Sequence, residues 1–303
     1  MSARVPVSQP PLISPLTPRT LPAGDGELIH YYTGGLVDPS APALVFLHGL
    51  GSNHTRWHHL IRQPFFQEHC RLIVLDLRGH GASHARRGIT SDGIGRDVEM
   101  LLEHEHIRSA ILVGHCWGAN LSVRVRERCP ERIGGLVFIE PFVVSTLRWE
   151  LRVAWVVSAP LYWAAYGLAR LANGAGIRRR RFRLIDYEMY DVWVRARLTS
   201  FWAVLRWMGP WIDLQTMPVV SYLQALRILF AYRPPWEAIA CPALALYGKR
   251  AEMGDASVET PLAANPRVQV RMIDASHFVL TDNMPAVAAA IEAFVGTVRG
   301  GAI

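Results

Sequence analysis

The stretch Gly114-His115-Cys116-Trp117-Gly118 decides how the rest of the chain is read. It follows an apolar run, Ala110-Ile111-Leu112-Val113, and precedes a helix-forming segment, Ala119 to Cys129. The order is strand, sharp turn, helix. Glycine is required where a side chain would clash as the backbone folds back beside the helix. Such a turn lifts its central residue to the top of a sheet, at the positive end of a helix, and its usual form is Gly-x-Ser-x-Gly. Here the central residue is Cys116, so the expected chemistry is covalent catalysis by a thiolate in place of an alcohol.

Working outward, apolar strand-like runs alternate with helical segments. Tyr31-Tyr32-Thr33 reads as a short strand before a Gly34-Gly35 turn. Leu44-Val45-Phe46-Leu47 reads as a buried strand ending in His48-Gly49-Leu50-Gly51, and Leu72-Ile73-Val74-Leu75 as another ending in Asp76-Leu77-Arg78-Gly79-His80-Gly81. Between them Trp57 to Gln67 predicts a helix interrupted near Pro64. Asp92 to His106 predicts an amphipathic helix with Val98, Leu101 and Leu102 inward, and Ile133 to Ile139 a strand ending at Glu140-Pro141. The strand pattern resumes with Ala243 to Tyr247 and Val268 to Ile273, and a last helix runs from Pro285 to Val298. Short, continuous apolar strands alternating with helices predict an α/β fold with a mostly parallel, doubly wound sheet. The expected organisation is a flexible arm over residues 1–20, a core of 21–141 and 237–303, and an inserted helical cap over 142–236.

The 303 residues carry a net charge of +7, almost all of it from arginine, with Lys249 the only lysine. No nucleic-acid-binding motif accompanies that charge, so no nucleic-acid partner is expected. Cys70, Cys116, Cys129 and Cys241 show neither metal-like pairing nor a dense disulfide pattern, which points to a reducing, cytoplasmic compartment. Residues Met1 to Thr20 are proline-rich and lack a continuous apolar stretch of the signal-peptide kind.

Ligands bind open α/β sheets at the carboxyl ends of strands. Three such ends carry chemistry here. The glycine-rich turn after Leu47 leaves backbone N–H groups free to face a developing oxyanion, with the Trp117 N–H as partner donor. His277 follows the last strand and is placed to take the thiol proton and hand it to a leaving group.

Together these features resemble the α/β-hydrolase family, over roughly Gly26 to Val298. The resemblance rests on His48-Gly49-x-Gly51, Asp76-x-x-Gly79-His80-Gly81, the turn at Cys116 and the late His277, in the family's order. It implies Cys116 as nucleophile, His277 as base, an oxyanion hole from the backbones of Leu50 and Trp117, and no cofactor or metal. Cysteine occupies this position in some relatives, such as dienelactone hydrolases. The Gly-His-x-Trp-Gly frame also looks like the epoxide hydrolase and haloalkane dehalogenase branch, where the nucleophile is aspartate. A thiolate attacking those carbons would leave a thioether, which water does not cleave, whereas attack on a carbonyl leaves a thioester, which turns over. The expected substrate is therefore a small-molecule ester, thioester or lactone.

The acid is the least regular member. The family places Asp in a Gly-x-x-Asp pattern after the strand ending at Gly248, and the matching residue is Ala251. Glu140, at the end of the preceding core strand, is the first alternative and Glu252 the second. The missing acid also motivates a competing reading, a binding protein of this fold without turnover; an acyltransferase using the same intermediate is a further alternative.

The cap stretch Val153 to Ala169 has no charged residue and contains Trp155, Tyr162, Trp163 and Tyr166, with Arg178 to Arg181 following. A second segment, Tyr190 to Met208, carries Trp193, Trp202 and Trp207 among arginines. Pro160 and the position between core strands argue against a membrane span. An ordinary cap with apolar faces on the core is expected first, and peripheral attachment to an anionic membrane surface second. Both predict a bulky apolar acyl group. His54, His58 and His59 have a spacing that suits a metal but no second ligand set, which favours a solvated or substrate-facing helix face. His104 and His106 read as surface residues, and Cys129 and Cys241 as packing residues.

Overall fold

The computed structural model describes residues 16–177, 181–197, 210–250 and 261–300. Eight strands form one sheet: β1 (Thr17–Pro22), β2 (Leu28–Gly35), β3 (Ala43–Leu47), β4 (Arg71–Leu75), β5 (Ala110–His115), β6 (Ile133–Ile139), β7 (Ala243–Gly248) and β8 (Val268–Ile273). Their spatial order is β1-β2-β4-β3-β5-β6-β7-β8. The β1–β2 and β2–β4 pairs are antiparallel, and every other pair is parallel.

The apolar runs explain the central strands. All five residues of β3 are buried, and its alternation splits them between two layers. Val45 and Leu47 pack with Leu101, Leu121 and Val125 on one face of the sheet. Leu44 and Phe46 pack with Trp57, Ile291 and Phe294 on the other. Each such side chain stabilises the fold by about 1.5–3 kcal/mol relative to exposure, so a sheet covered on both faces is the only arrangement that hides the whole run.

Among the described residues, the helices of nine or more residues are α1 (Ser91–His104), α2 (Trp117–Arg128), α3 (Trp149–Gly174), α4 (Tyr187–Arg195), α5 (Val219–Ala231) and α6 (Met284–Arg299). The N-terminus of α1 is fixed by Thr90, whose hydroxyl accepts a hydrogen bond from the Gly93 N–H at 2.9 Å. Val98, Leu101 and Leu102 of α1 are buried, as the 3.6-residue period predicts. The segment around Pro64 is broken as expected, into a 3₁₀ turn His54–Trp57 and short helices His58–Ile61 and Pro64–His69.

The expected N-terminal arm needs correction at its end. Thr17 to Thr20 lie in β1 and pair with Thr33 to His30 of β2. Backbone pairing and burial of Leu16 and Leu21 hold this segment on the sheet, which the proline content of the sequence conceals.

Between β6 and β7 the chain builds the helical insertion. Helix α3 runs unbroken through Pro160 and packs one face on α5. On that face Trp155 stacks on Phe230 with ring centroids 3.8 Å apart, and the buried Tyr162 hydroxyl donates to the Leu223 carbonyl at 2.9 Å. The opposite face does not pack on the core, contrary to the first expectation for the cap. Val156, Val157, Leu161, Leu168 and Leu171 are each about 70% exposed. No described helix is long and apolar enough to cross a membrane. Trp202, Trp207 and Arg178 to Arg180 lie outside the described residues.

Candidate active site

Register brings the chemistry to one edge of the sheet. Leu47 pairs with Gly114, His115 with Ile139 and Ile139 with Leu246, so the ends of β3, β5, β6 and β7 are level. The residues that follow these ends meet in space.

Cys116 has φ 51° and ψ −113°, a left-handed conformation for a non-glycine residue. Such a conformation costs about 1–3 kcal/mol and persists only where its surroundings enforce it. Two features do so. The Cys116 N–H donates to the Ile139 carbonyl at 2.9 Å. The flanking glycines permit a very close approach: a Cβ on Gly114 would lie 2.5 Å from Ala119 Cα, and one on Gly118 would lie 2.0 Å from the Leu47 carbonyl oxygen. The thiol thus projects at the N-terminus of α2, half-buried, while Cys70, Cys129 and Cys241 are buried.

His277 lies beyond β8, and Glu140 directly after β6. His277 Nδ1–H donates to Glu140 Oε2 at 3.0 Å, and both side chains are buried. The other carboxylate oxygen of Glu140 accepts the Gly248 N–H, and the Glu140 N–H donates to the Leu246 carbonyl at 2.9 Å. Glu140, also at positive φ, is thereby held against β7 with its carboxylate on the imidazole. Cys116 interacts with the same imidazole. Burial pushes the His277 pKa down, but the bonds to Cys116 and Glu140 and the Glu140 charge outweigh it and raise it to about 10. Glu252 and Ala251 lie outside the described residues, whereas Glu140 stands on His277.

The turn after β3 faces the same point. A Cβ on Gly49 would lie 3.4 Å from Cys116 Cβ and 3.2 Å from His115 Nδ1. The Leu50 N–H has no backbone acceptor in the turn, and Trp117, first residue of α2, sits where helical N–H groups lack internal partners. His48 orients this turn, a role its place in the motif did not reveal. Its Nδ1–H donates to the Gly49 carbonyl at 2.8 Å, and its Nε2 accepts the Leu77 N–H at 3.0 Å. Holding the Gly49 carbonyl on one side fixes the Leu50 N–H of the same planar peptide on the other. Burial lowers the His48 pKa to about 3, so the ring stays neutral and can accept as well as donate.

Asp76 organises the neighbouring turn. It accepts from the His54 N–H at 2.8 Å, from Ala82 N–H at 2.9 Å and from the His54 ring at 2.9 Å. His54 is therefore held by a carboxylate, His58 is buried, and His59 points outward. The three histidines do not converge, and no metal-binding group of three occurs among the described residues.

Sequence reasoning missed the ion pair that locks the insertion to the core. Arg56, on the 3₁₀ turn after β3, engages both carboxylate oxygens of Asp191 on α4, donates Nε to Ser52 Oγ at 2.7 Å, and lies over the Tyr187 ring. Neither residue belongs to a local motif, so only the folded chain pairs them.

A strained elbow residue, a His–carboxylate pair and a facing turn of free N–H groups define an α/β-hydrolase type of site. The profile of the alpha/beta hydrolase family matches residues 44–290, and the chain belongs to that family. It is 36% identical over 119 residues to 3-oxoadipate enol-lactonase 2 of Acinetobacter baylyi, covering 39% of this chain and 43% of the relative. It is 29% identical over 117 residues to epoxide hydrolase 4 of Mus musculus, covering 38% of this chain and 32% of the relative. The matched stretches thus span less than half the length of these relatives. Among solved structures, the enol-lactonase from Burkholderia xenovorans LB400 superposes with a TM-score of 0.64 at 21% identity, covering 92% of this chain and 100% of that one. At that identity the likeness is one of fold.

Proposed function

We propose that this chain hydrolyses a carboxylic ester, thioester or lactone through an acyl-thioester on Cys116. The observation that carries this reading is one buried imidazole that is hydrogen-bonded to Glu140 and interacts with Cys116. In the first half-reaction the thiol proton rests on His277, whose raised pKa favours the imidazolium, and Cys116 Sγ attacks the carbonyl carbon. The oxyanion is held by the N–H groups of Leu50 and Trp117, together worth several kcal/mol in the transition state. Collapse breaks the bond to the leaving group, which receives the proton from His277. In the second half-reaction water gives its proton to His277, attacks the thioester and releases the acid. Glu140 fixes the orientation of the ring and stabilises the imidazolium. Cys116 favours carbonyl substrates over the epoxides of some relatives, because opening an epoxide would end in a stable thioether.

The test pairs a chromogenic ester with iodoacetamide. Cys116 should alkylate faster than a free thiol, and Cys116→Ala should lose both alkylation and turnover. A Cys116 that neither outpaces a free thiol nor supports turnover would favour a binding protein of the same fold.

The exposed face of α3 supports an accompanying proposal, attachment to an anionic membrane surface. Apolar side chains cover that face, Trp149 and Trp163 are more than half exposed, and Arg152 and Arg170 stand exposed toward its ends. An apolar helical face with aromatic residues and flanking cations matches an interfacial helix, and the net charge of +7 complements anionic headgroups.

A further inference from the structure

Asp213 opens the short helix Asp213–Thr216 in the insertion. Its carboxyl lies directly over the turn that bears Leu50: a Cβ on Gly51 would sit 2.2 Å from Asp213 Oδ1 and 2.5 Å from its Cγ. Leu50 packs against the cluster of Tyr162, Met217, Tyr222 and Leu223 on the insertion side and against the core cluster that Cys116 also packs against. Cys116, Leu50 and Asp213 each keep partial exposure, while His48, Trp117, Thr216 and His277 around them are buried. The carboxyl therefore stands, partly exposed, against the turn whose preceding residue, Leu50, would supply an oxyanion donor.

The carboxyl accepts no hydrogen bond from a described residue. Arg56 is the cation that faces it, and Arg56 is already committed to Asp191 and Ser52. The other groups facing it are the phenols of Tyr187 and Tyr190 on α4 and of Tyr222 on α5. Among the described residues around it, Glu140 is paired with His277 and Asp191 with Arg56, which leaves Asp213 as the carboxylate without an ion-pair partner. Burial raises the Asp213 pKa to about 7, with Arg56 opposing, so an approaching cation has an acid there that ionises readily near neutrality.

We propose that Asp213 is a specificity-determining residue of this site and that it receives a protonated amine on the substrate. The proposal rests on the reading of Cys116 as the reactive thiol and narrows the substrate to an acyl compound with an apolar body, lying against Leu50 and Tyr222, and a cationic group. A carboxylate without a partner gains a charge-assisted hydrogen bond from an ammonium group, which a neutral substrate does not supply.

The experiment compares labelling of Cys116 by aminoethyl methanethiosulfonate and by methyl methanethiosulfonate. In both, Cys116 sulfur attacks the thiosulfonate sulfur, a disulfide forms and methanesulfinate leaves, so the neutral reagent corrects for thiol reactivity. At about pH 7.5 the cation-to-neutral rate ratio should be about tenfold higher in the wild type than in Asp213→Asn. At about pH 5.5, below the Asp213 pKa, the two ratios should converge. Asp213→Ser serves as a second charge-free variant should the asparagine fail to fold. Equal ratios in wild type and variant at both pH values overturn the proposal, as does a wild-type Cys116 that neither reagent reaches. Labelling needs no turnover, so loss of the hydrolytic reading alone, seen as no ester cleavage by a normally labelled Cys116, remains distinguishable.

Discussion

Cys116 occupies a backbone conformation that few non-glycine residues adopt, and its surroundings rather than its own preference hold it there. The same dependence runs through its partners: Glu140 is set by β7, and His48 fixes a peptide instead of touching substrate. Glu140→Gln should keep the fold and lower ester turnover by about 10²-fold, since the amide no longer stabilises the imidazolium. It should also change stability with pH. The His277 pKa is raised in the folded state, so the folded chain binds the proton more tightly. The associated stability is complete below the unfolded histidine value of about 6.5 and is lost as pH rises through about 10. Urea unfolding across that window should show a loss of up to about 1.4 kcal/mol per pH unit in the wild type, and a flatter profile in Glu140→Gln. At the turn after β3, the proposed oxyanion hole, His48→Asn should lower kcat by about 10-fold or more with little change in KM, because a free Gly49 carbonyl lets the Leu50 N–H turn away.

At the scale of elements, what the sequence made legible was local. Continuous apolar runs give β3 to β8, and the Gly-flanked Cys116 gives the strand–turn–helix, because those signals depend on neighbours along the chain. Glu140 was legible because it ends a core strand, a place the register carries to the sheet edge. β1 was not, since prolines mask a strand whose support is pairing with β2. Asp213, Asp191 and Arg56 were not, since the insertion sets their positions through packing between distant segments. The exposed face of α3 was hidden for a related reason: hydropathy reports that a run is apolar but not which way it turns. The glycine contacts yield a prediction at this scale. Gly118→Ala places a Cβ 2.0 Å from the Leu47 carbonyl oxygen, so α2 must shift away from β3. It should destabilise the chain by more than about 1 kcal/mol in urea unfolding and reduce Cys116 alkylation along with it.

Across the whole molecule two surfaces of different character stand on one body. Beside the sheet edge stand the carboxylates Glu140, Asp191 and Asp213, while the outer face of α3 is apolar with arginines toward its ends. If α3 rests on anionic lipid, the wild type should co-sediment with anionic vesicles, less so in high salt. Leu161→Glu with Val157→Glu should abolish that binding, while turnover of a soluble ester stays within about twofold, since both side chains point to solvent. An apolar acyl donor held at a membrane would fit a site whose turn packs against an insertion on the same body. The covalent step at Cys116 is nevertheless the central claim. Its most direct test is the intact mass of the protein, acid-quenched while it turns over a chromogenic ester. The predicted result is a mass increase equal to the acyl group, localised by fragmentation to Cys116 and absent from Cys116→Ala; turnover with no adduct there, or with an adduct on another residue, would contradict it.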